Sequence, residues 1–228
     1  MKHVHENITR IKAVHNALGG LKDKVVFVGG ATVSLYAQRE APEIRETKDV
    51  DILVEIATNW EYAAVEQQLR DLGFKNDTDS KFVGRYLLPG LIVDLMATDE
   101  KILGFSNIWY KEGFQTAIDY EIDDQHTVKI FDCPHFVASK IEAYKNRGKG
   151  DGRQSSDFED IVFILDNRPS IWQEMDETAD PLKGYLRKEF KKFADNPHIE
   201  EWIGSHSSFY SPPSAYLIIQ DLKKYVGN

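Results

Sequence analysis

Arg45-Glu46-Thr47-Lys48-Asp49-Val50-Asp51-Ile52-Leu53-Val54 is the stretch that decides how this chain is read. Its apolar second half is strand-forming, and side chains two apart in a strand lie on one face. Asp49 and Asp51 therefore present two carboxylates together. Mg²⁺ (or Mn²⁺) takes one or two carboxylates and completes its shell with waters and substrate phosphates, so the pair suits a metal-bound nucleoside triphosphate.

Upstream, the run Val25-Val26-Phe27-Val28 predicts a buried strand, ended by Gly29 and Gly30. Those glycines let the backbone approach a phosphate closely where the following helix-compatible segment, Ala31 to Arg39, begins. The dipeptide alone is also ordinary strand-to-helix geometry. Thr32 and Ser34 are candidate hydroxyl donors beside it, with helix capping or packing as equal explanations. Pro42 ends that segment, and an amphipathic helix from Ile8 to Leu18, closed by Gly19 and Gly20, precedes the first strand.

Downstream, Val50 to Ile56 continues as the second strand and Trp60 to Leu72 reads as a helix, with Gly73 at its C-terminal side. Phe82 to Leu88, Pro89-Gly90 and Leu91 to Met96 read as a hairpin. Asp94 lies inside the apolar second arm, where an unpaired charge costs on the order of several kcal/mol. It therefore needs a partner. Either it completes an acidic triad with Asp49 and Asp51, as metal ligand or general base, or it is a strand-end acid or a salt bridge to Arg85 or Lys81. A strand at His126 to Phe131 and helices at Phe136 to Tyr144, Phe158 to Leu165, Leu182 to Phe193 and Ser214 to Tyr225 complete the pattern. The expected class is α/β (α+β): a mixed sheet with flanking helices over residues 1–133, then a helical region over 134–228, with a cleft expected at their junction.

The formal charge of −9 and pI near 5.3 argue against a general nucleic-acid coat, which needs a broad cationic surface. No apolar run approaches the roughly 20 residues of a membrane span and no signal region opens the chain, so a cytoplasmic protein without membrane partners is expected. The single cysteine, Cys133, reads as a core residue. The histidines show no zinc-binding pattern.

Lys140, Lys145, Arg147, Lys149 and Arg153, set against Glu142 and Asp151, make a local basic stretch in an acidic chain. Its cations either neutralise a triphosphate or an acceptor phosphate, or form a solvated helix face. Asp157 and Asp160 share a helix face, where they steer Lys140, cap the helix or meet a basic partner. The Gly148 to Gly152 loop is expected to be flexible. The aromatics of the C-terminal half, from Trp172 and Tyr185 to Phe209, Tyr210 and Tyr216, are expected to be mostly packing residues.

Gly29-Gly30, Arg45-x-Thr47-x-Asp49-x-Asp51 and Asp94 resemble the nucleotidyltransferase domains of the DNA polymerase β superfamily, and within it the AbiEii-like group of abortive-infection toxins. Lys140, Arg147, Asp157 and Asp160 are similar to that group's downstream motif of a lysine followed by helical aspartates. The loop from Gly148 to Ser156 is longer than the pattern, and Ser156 stands where an arginine is common. The resemblance runs from Val25 to Asp160. It implies an enzyme, a nucleotidyltransferase that moves a nucleoside monophosphate from a triphosphate to an acceptor and releases pyrophosphate; relatives of this fold modify nucleic-acid ends, proteins and small molecules, and a tRNA 3′ end or a protein hydroxyl is the acceptor expected here. Asp49, Asp51 and Asp94 would be the metal and catalytic acids and Lys140 a further catalytic residue. Gly29, Gly30, Thr32, Ser34, Arg45 and Thr47 would hold the triphosphate, with Arg85, Asp157 and Asp160 as accessories. A toxin–antitoxin or phage-defence setting, with an antitoxin partner, follows from the same resemblance. The competing expectations are a small-molecule (antibiotic) nucleotidyltransferase and a catalytically inactive nucleotide-binding or interaction module.

Overall fold

The computed structural model describes residues 2–39, 44–207 and 214–227. Two compact units divide it, Met1–Leu35 with Pro42–Asp132 and Tyr36–Ala41 with Cys133–Asn228. The sheet unit contains α1 (Lys2–Ala17), β1 (Val25–Val28), β2 (Asp49–Val54), α2 (Asn59–Asp71), β3 (Lys75–Asn76), β4 (Arg85–Leu88), β5 (Leu91–Ala97), α3 (Glu100–Leu103), α4 (Tyr110–Gln115), β6 (Ile118–Asp123) and β7 (His126–Ile130). These strands form one seven-stranded sheet in the order β3-β4-β5-β2-β1-β7-β6. Parallel pairing joins β2 to β5 and β1 to β7, and every other neighbour is antiparallel. The mixed α/β class follows, as the sequence predicts.

Burial explains which strands lie at the centre. All of β1 is buried, and Val50, Ile52 and Leu53 of β2 are fully enclosed. A parallel pair needs cover on both faces and is built from such continuous apolar runs. The predicted hairpin forms around Gly90, whose φ of +76° is the left-handed conformation that the turn demands. A capping box in which Thr58 and Glu61 satisfy each other's backbone amides starts α2.

Several elements depart from the expectation. Gly30–Tyr36 is a 3-10 helix, not an α-helix, and the Thr32 hydroxyl donates back to the Gly29 carbonyl at 3.0 Å within it. The β6 strand, absent from the expectation, alternates Ile118, Tyr120 and Ile122 with the carboxylates of Asp119, Glu121 and Asp123, as an edge strand that must not pair further often does. Pro42 lies outside the described residues.

The second unit is helical: α5 (Cys133–Arg147), α6 (Ser156–Asn167), α7 (Ile171–Glu177), α8 (Leu182–Ala194), α9 (Ile199–His206) and α10 (Ser214–Gly227). The short α7 and α9, unforeseen in the sequence, span too few turns to show a clear period. From Cys133 to Glu142 every residue of α5 is buried, so it is the central helix of this unit. Around it Tyr144, Phe158, Phe193 and Trp202 meet at angles from 53° to 87°. These are the tilted and edge-to-face contacts that aromatic quadrupoles favour. Tyr216 instead is 59% exposed, and Phe209 and Tyr210 lie outside the described residues. At the end of the Gly148 to Gly152 loop, Gly152 is buried, and a Cβ there would come within 2.7 Å of the Trp202 ring. Among the described residues, no helix is long and apolar enough to cross a membrane.

One histidine of α1 makes stability depend on pH. His15 is 5% exposed, its Nδ1 has no hydrogen-bond partner, and its ring packs edge-on to that of His126 at 5.6 Å. Burial, then the charge of Lys22, lowers its pKa from the ordinary 6.5. The neutral form is favoured in the fold, so the unfolded chain binds the proton more readily, and stability is full above pH 6.5 and falls as pH drops below it. Thermal unfolding of the protein should therefore occur at a lower temperature at pH 5.5 than at 7.5, and His15→Leu should reduce that difference. An unchanged difference in the variant would assign the effect elsewhere.

Candidate functional site

Asp49 and Asp51 leave β2 on one side of the sheet, while Val50 and Ile52, both 0% exposed, enter the core on the other. Asp51 lies opposite Asp94 in the parallel ladder, and Asp94 lies opposite Arg85 in the antiparallel one. Residues paired across strands share a face, so the three aspartates and the arginine meet over β2, β5 and β4. Arg85 holds Asp94 by two bonds, Nε to Oδ1 at 2.8 Å and Nη2 to Oδ2 at 2.7 Å. The same Nη2 donates to Asp49 Oδ2 at 3.2 Å.

Arg85 rather than Lys81 is thus the partner that a buried Asp94 requires. With Asp94 at 5% exposure, burial pushes its carboxyl above the ordinary 3.8, and the hydrogen bonds from Arg85 offset part of that rise. Arg85 in turn holds its own proton more firmly than usual, chiefly through the hydrogen bonds to Asp94. The expected metal set of all three acids differs from this arrangement. Both Asp94 oxygens accept from Arg85, and among the described residues no group of three possible ligands is placed to hold a metal ion. The hard-oxygen pair Asp49 and Asp51 does fit Mg²⁺. The Arg85 guanidinium, bonded to Asp94 and Asp49, already sets one positive charge on this face.

The glycine turn is shaped to the acids. Gly29 has φ +75°, and a Cβ there would fall 1.8 Å from Asp51 Oδ2. At Gly30 a Cβ would fall 2.1 Å from an Arg45 guanidinium nitrogen and 2.8 Å from Thr47 Cγ2. The space that these glycines leave is filled by this chain's own side chains, so both positions need glycine on steric grounds. Gly29→Ala is expected to cost about 1–3 kcal/mol from the positive φ alone. Because the Asp51 carboxylate must also rotate away, the change should impair any activity of this site by more than it lowers the melting temperature. Equal activity in Gly29→Ala and the parent protein would contradict this.

Thr47 is 4% exposed and does not face a ligand: its hydroxyl and amide both donate to Asn7 Oδ1, at 3.2 and 3.3 Å. Asn7 also donates to the Arg45 carbonyl at 3.3 Å, and Arg10 pairs with Glu46 at 2.6 Å. Thus α1 braces the segment that delivers Asp49 and Asp51. Nothing in the motif from Arg45 to Asp51 points to Asn7. Its signal was its place at the head of the apolar stripe Ile11, Val14, Leu18, where a polar residue needs an internal partner. Thr32, wholly buried, spends its hydroxyl on Gly29, so it does not serve a triphosphate in this arrangement. The Ser34 hydroxyl, on the same 3-10 segment, is enclosed and has no partner among the described residues.

Lys140, Asp157 and Asp160 belong to the second unit and meet there. Lys140 is 4% exposed and bonds Asp160 at 2.6 Å and Asp157 at 3.4 Å, while Arg147 grips Asp157 at 2.6 and 2.7 Å. Burial works to raise the Asp157 pKa, and Arg147 and Lys140 outweigh it, so the net shift is downward. This network joins α5 to α6, with Lys140 buried between two aspartates and Arg147 at its solvent edge, and it gives Lys140 a structural role beside the expected catalytic one. Two further cations of the basic stretch are paired as well, Lys145 with Glu142 and Arg153 with Asp151 and Glu201.

A separate cavity of about 560 Å³ opens beyond the C-terminal ends of β2 and β5, lined among others by Glu55, Glu61, Thr98, Asp99 and Ile108. Two of its acids are committed to helix starts, Glu61 to the amides of Ala57 and Thr58 and Asp99 to that of Lys101. It lies at the far end of the strands from Asp49.

No protein-family model matches the chain, and no curated protein matches it.

Proposed function

We propose that the chain is a metal-dependent nucleotidyltransferase whose reaction centre is the acidic face of β2. The observation that carries this reading is the shared face of Asp49 and Asp51, in register with Asp94 and beside the Gly29 turn. A bound Mg²⁺ or Mn²⁺ would neutralise the triphosphate and the departing pyrophosphate. Asp49 and Asp51 would hold it, with Arg85 moving off Asp49. The acceptor hydroxyl oxygen forms a bond to the α-phosphorus, the bond from that phosphorus to the α–β bridging oxygen breaks, and the hydroxyl proton passes to Asp94. A carboxylate that already accepts two hydrogen bonds retains lone pairs for that proton. Arg45, beside the glycine turn, and the unpartnered Ser34 hydroxyl are the donors nearest in sequence for phosphate oxygens.

The acceptor is a tRNA 3′ end or a protein hydroxyl, and the setting a toxin–antitoxin or phage-defence system with an antitoxin partner, on the sequence resemblance. A small-molecule acceptor, such as an antibiotic, is the alternative within the same chemistry. The test incubates the protein with Mg²⁺, each labelled nucleoside triphosphate, total tRNA and cell lysate, beside Asp49→Ala/Asp51→Ala. Label on RNA, protein or a small molecule that disappears in the variant supports transfer and identifies the acceptor class. Triphosphate binding without transfer under every condition favours instead a nucleotide-binding module, which the Arg85 bridge across the acids would also suit.

A further inference from the structure

Arg85 has more hydrogen bonds than a strut for one buried acid needs. Two bonds satisfy Asp94, yet Nη2 also leans on Asp49 Oδ2, so one nitrogen lies 2.7 Å from an Asp94 oxygen and 3.2 Å from an Asp49 oxygen. A divalent cation bridging those oxygens would need the same space, because its bonds to oxygen are about 2.0–2.2 Å long. The two contacts are unequal. Asp94 is held by a short bidentate fork at a 7% exposed side chain, whereas Asp49 is held by a single longer bond at a side chain that is 38% exposed. The bond to Asp49 is the one that solvent weakens and that yields first.

We infer that Arg85 is a resident counter-ion of the acidic face, anchored on Asp94, which occupies Asp49 until a metal arrives together with a triphosphate. The inference rests on the nucleotidyltransferase reading for the identity of the incoming ligand and on the geometry alone for the lock. Two consequences follow. A free divalent cation must displace the guanidinium from Asp49 and sit against its positive charge, so it binds poorly by itself. A metal–triphosphate brings negative charge that the displaced Nη2 can meet, so it binds where the bare cation does not. Arg85 thereby makes the site selective for the complex over the free ion, and it is a positioning residue for Asp94 as well.

Manganese binding without nucleotide tests the lock directly. Free Mn²⁺ is read by electron paramagnetic resonance while it is titrated with the full chain, with Arg85→Gln, with Arg85→Lys and with Arg85→Gln/Asp49→Asn. Removing one positive charge a few ångströms from the cation is expected to tighten Mn²⁺ binding about tenfold or more in Arg85→Gln. Arg85→Lys, which keeps the charge but loses the fork, should fall between it and the parent protein, and the double variant should lose the gain. Mn²⁺ affinity that is equal or weaker in Arg85→Gln overturns the inference. If that variant does not fold, Arg85→Lys decides the matter by the same criterion. Tighter Mn²⁺ binding without label transfer in the parent would leave the counter-ion standing and remove the transferase reading. Label transfer with unchanged Mn²⁺ affinity in the variants would do the reverse.

Discussion

Asp49→Asn and Asp51→Asn are each expected to lower nucleotidyl transfer by about a thousandfold or more, since the cation they hold supplies several kcal/mol of transition-state stabilisation and each 1.4 kcal/mol is tenfold in rate. The melting temperature should not fall with it. Asp49 is 38% exposed and its ion pair with Arg85 is long, so its charge contributes little to the fold. Moreover, Asp49→Asn relieves like-charge repulsion with Asp94, which already feels the charge of Asp49. Single-turnover label incorporation, measured beside thermal unfolding, separates the two effects. A variant that keeps more than about a tenth of the parent rate would exclude that carboxylate as a metal ligand.

Lys140→Met should have the opposite profile: a loss of about 3–5 kcal/mol of stability, because it takes one partner from a buried ion network and leaves negative charge behind. Asp160, 1% exposed, loses its ammonium partner at 2.6 Å, whereas Asp157 keeps the Arg147 fork. Converting Asp160 to leucine in the same chain should recover most of the loss, since an apolar pair of similar volume needs no compensating charge. Denaturant unfolding of the two variants measures this. Recovery of stability and of transfer together would make Lys140 a structural residue. Recovery of stability alone, with transfer still absent, would return it to the reaction.

Acid should act on the same network. The pKa of Asp157 is held below 3.8, so the stability that it contributes is present above that value and is lost as pH falls further. Arg147→Ala, by leaving Lys140 as its cation, should move that loss to higher pH, read as circular dichroism of the helices during acid titration.

What the sequence determined by itself was periodic and local. Val25 to Val28 could only be a buried strand, Pro89-Gly90 a turn, and Asp49 with Asp51 a pair on one face, because a pleat alternates side chains whatever lies beside it. The α/β half and helical half were legible for the same reason. The edge strand β6 was not, because its residues answer to solvent and not to a core.

Partners were beyond its reach. Asn7 bonds Thr47 across 40 residues, Arg85 reaches Asp49 across 36, and Lys140 meets Asp157 across 17. A basic stretch with a local positive excess looks the same on paper whether its cations face solvent or carboxylates. Only the tertiary structure decided that Lys140, Arg147 and Arg153 neutralise this chain's own acids, and that Arg85 stands between Asp49 and Asp94. The physical reason is that a charge withdrawn from water must be answered by whatever the fold brings within about 3 Å, and that neighbour is chosen by strand register and helix packing, not by position along the chain.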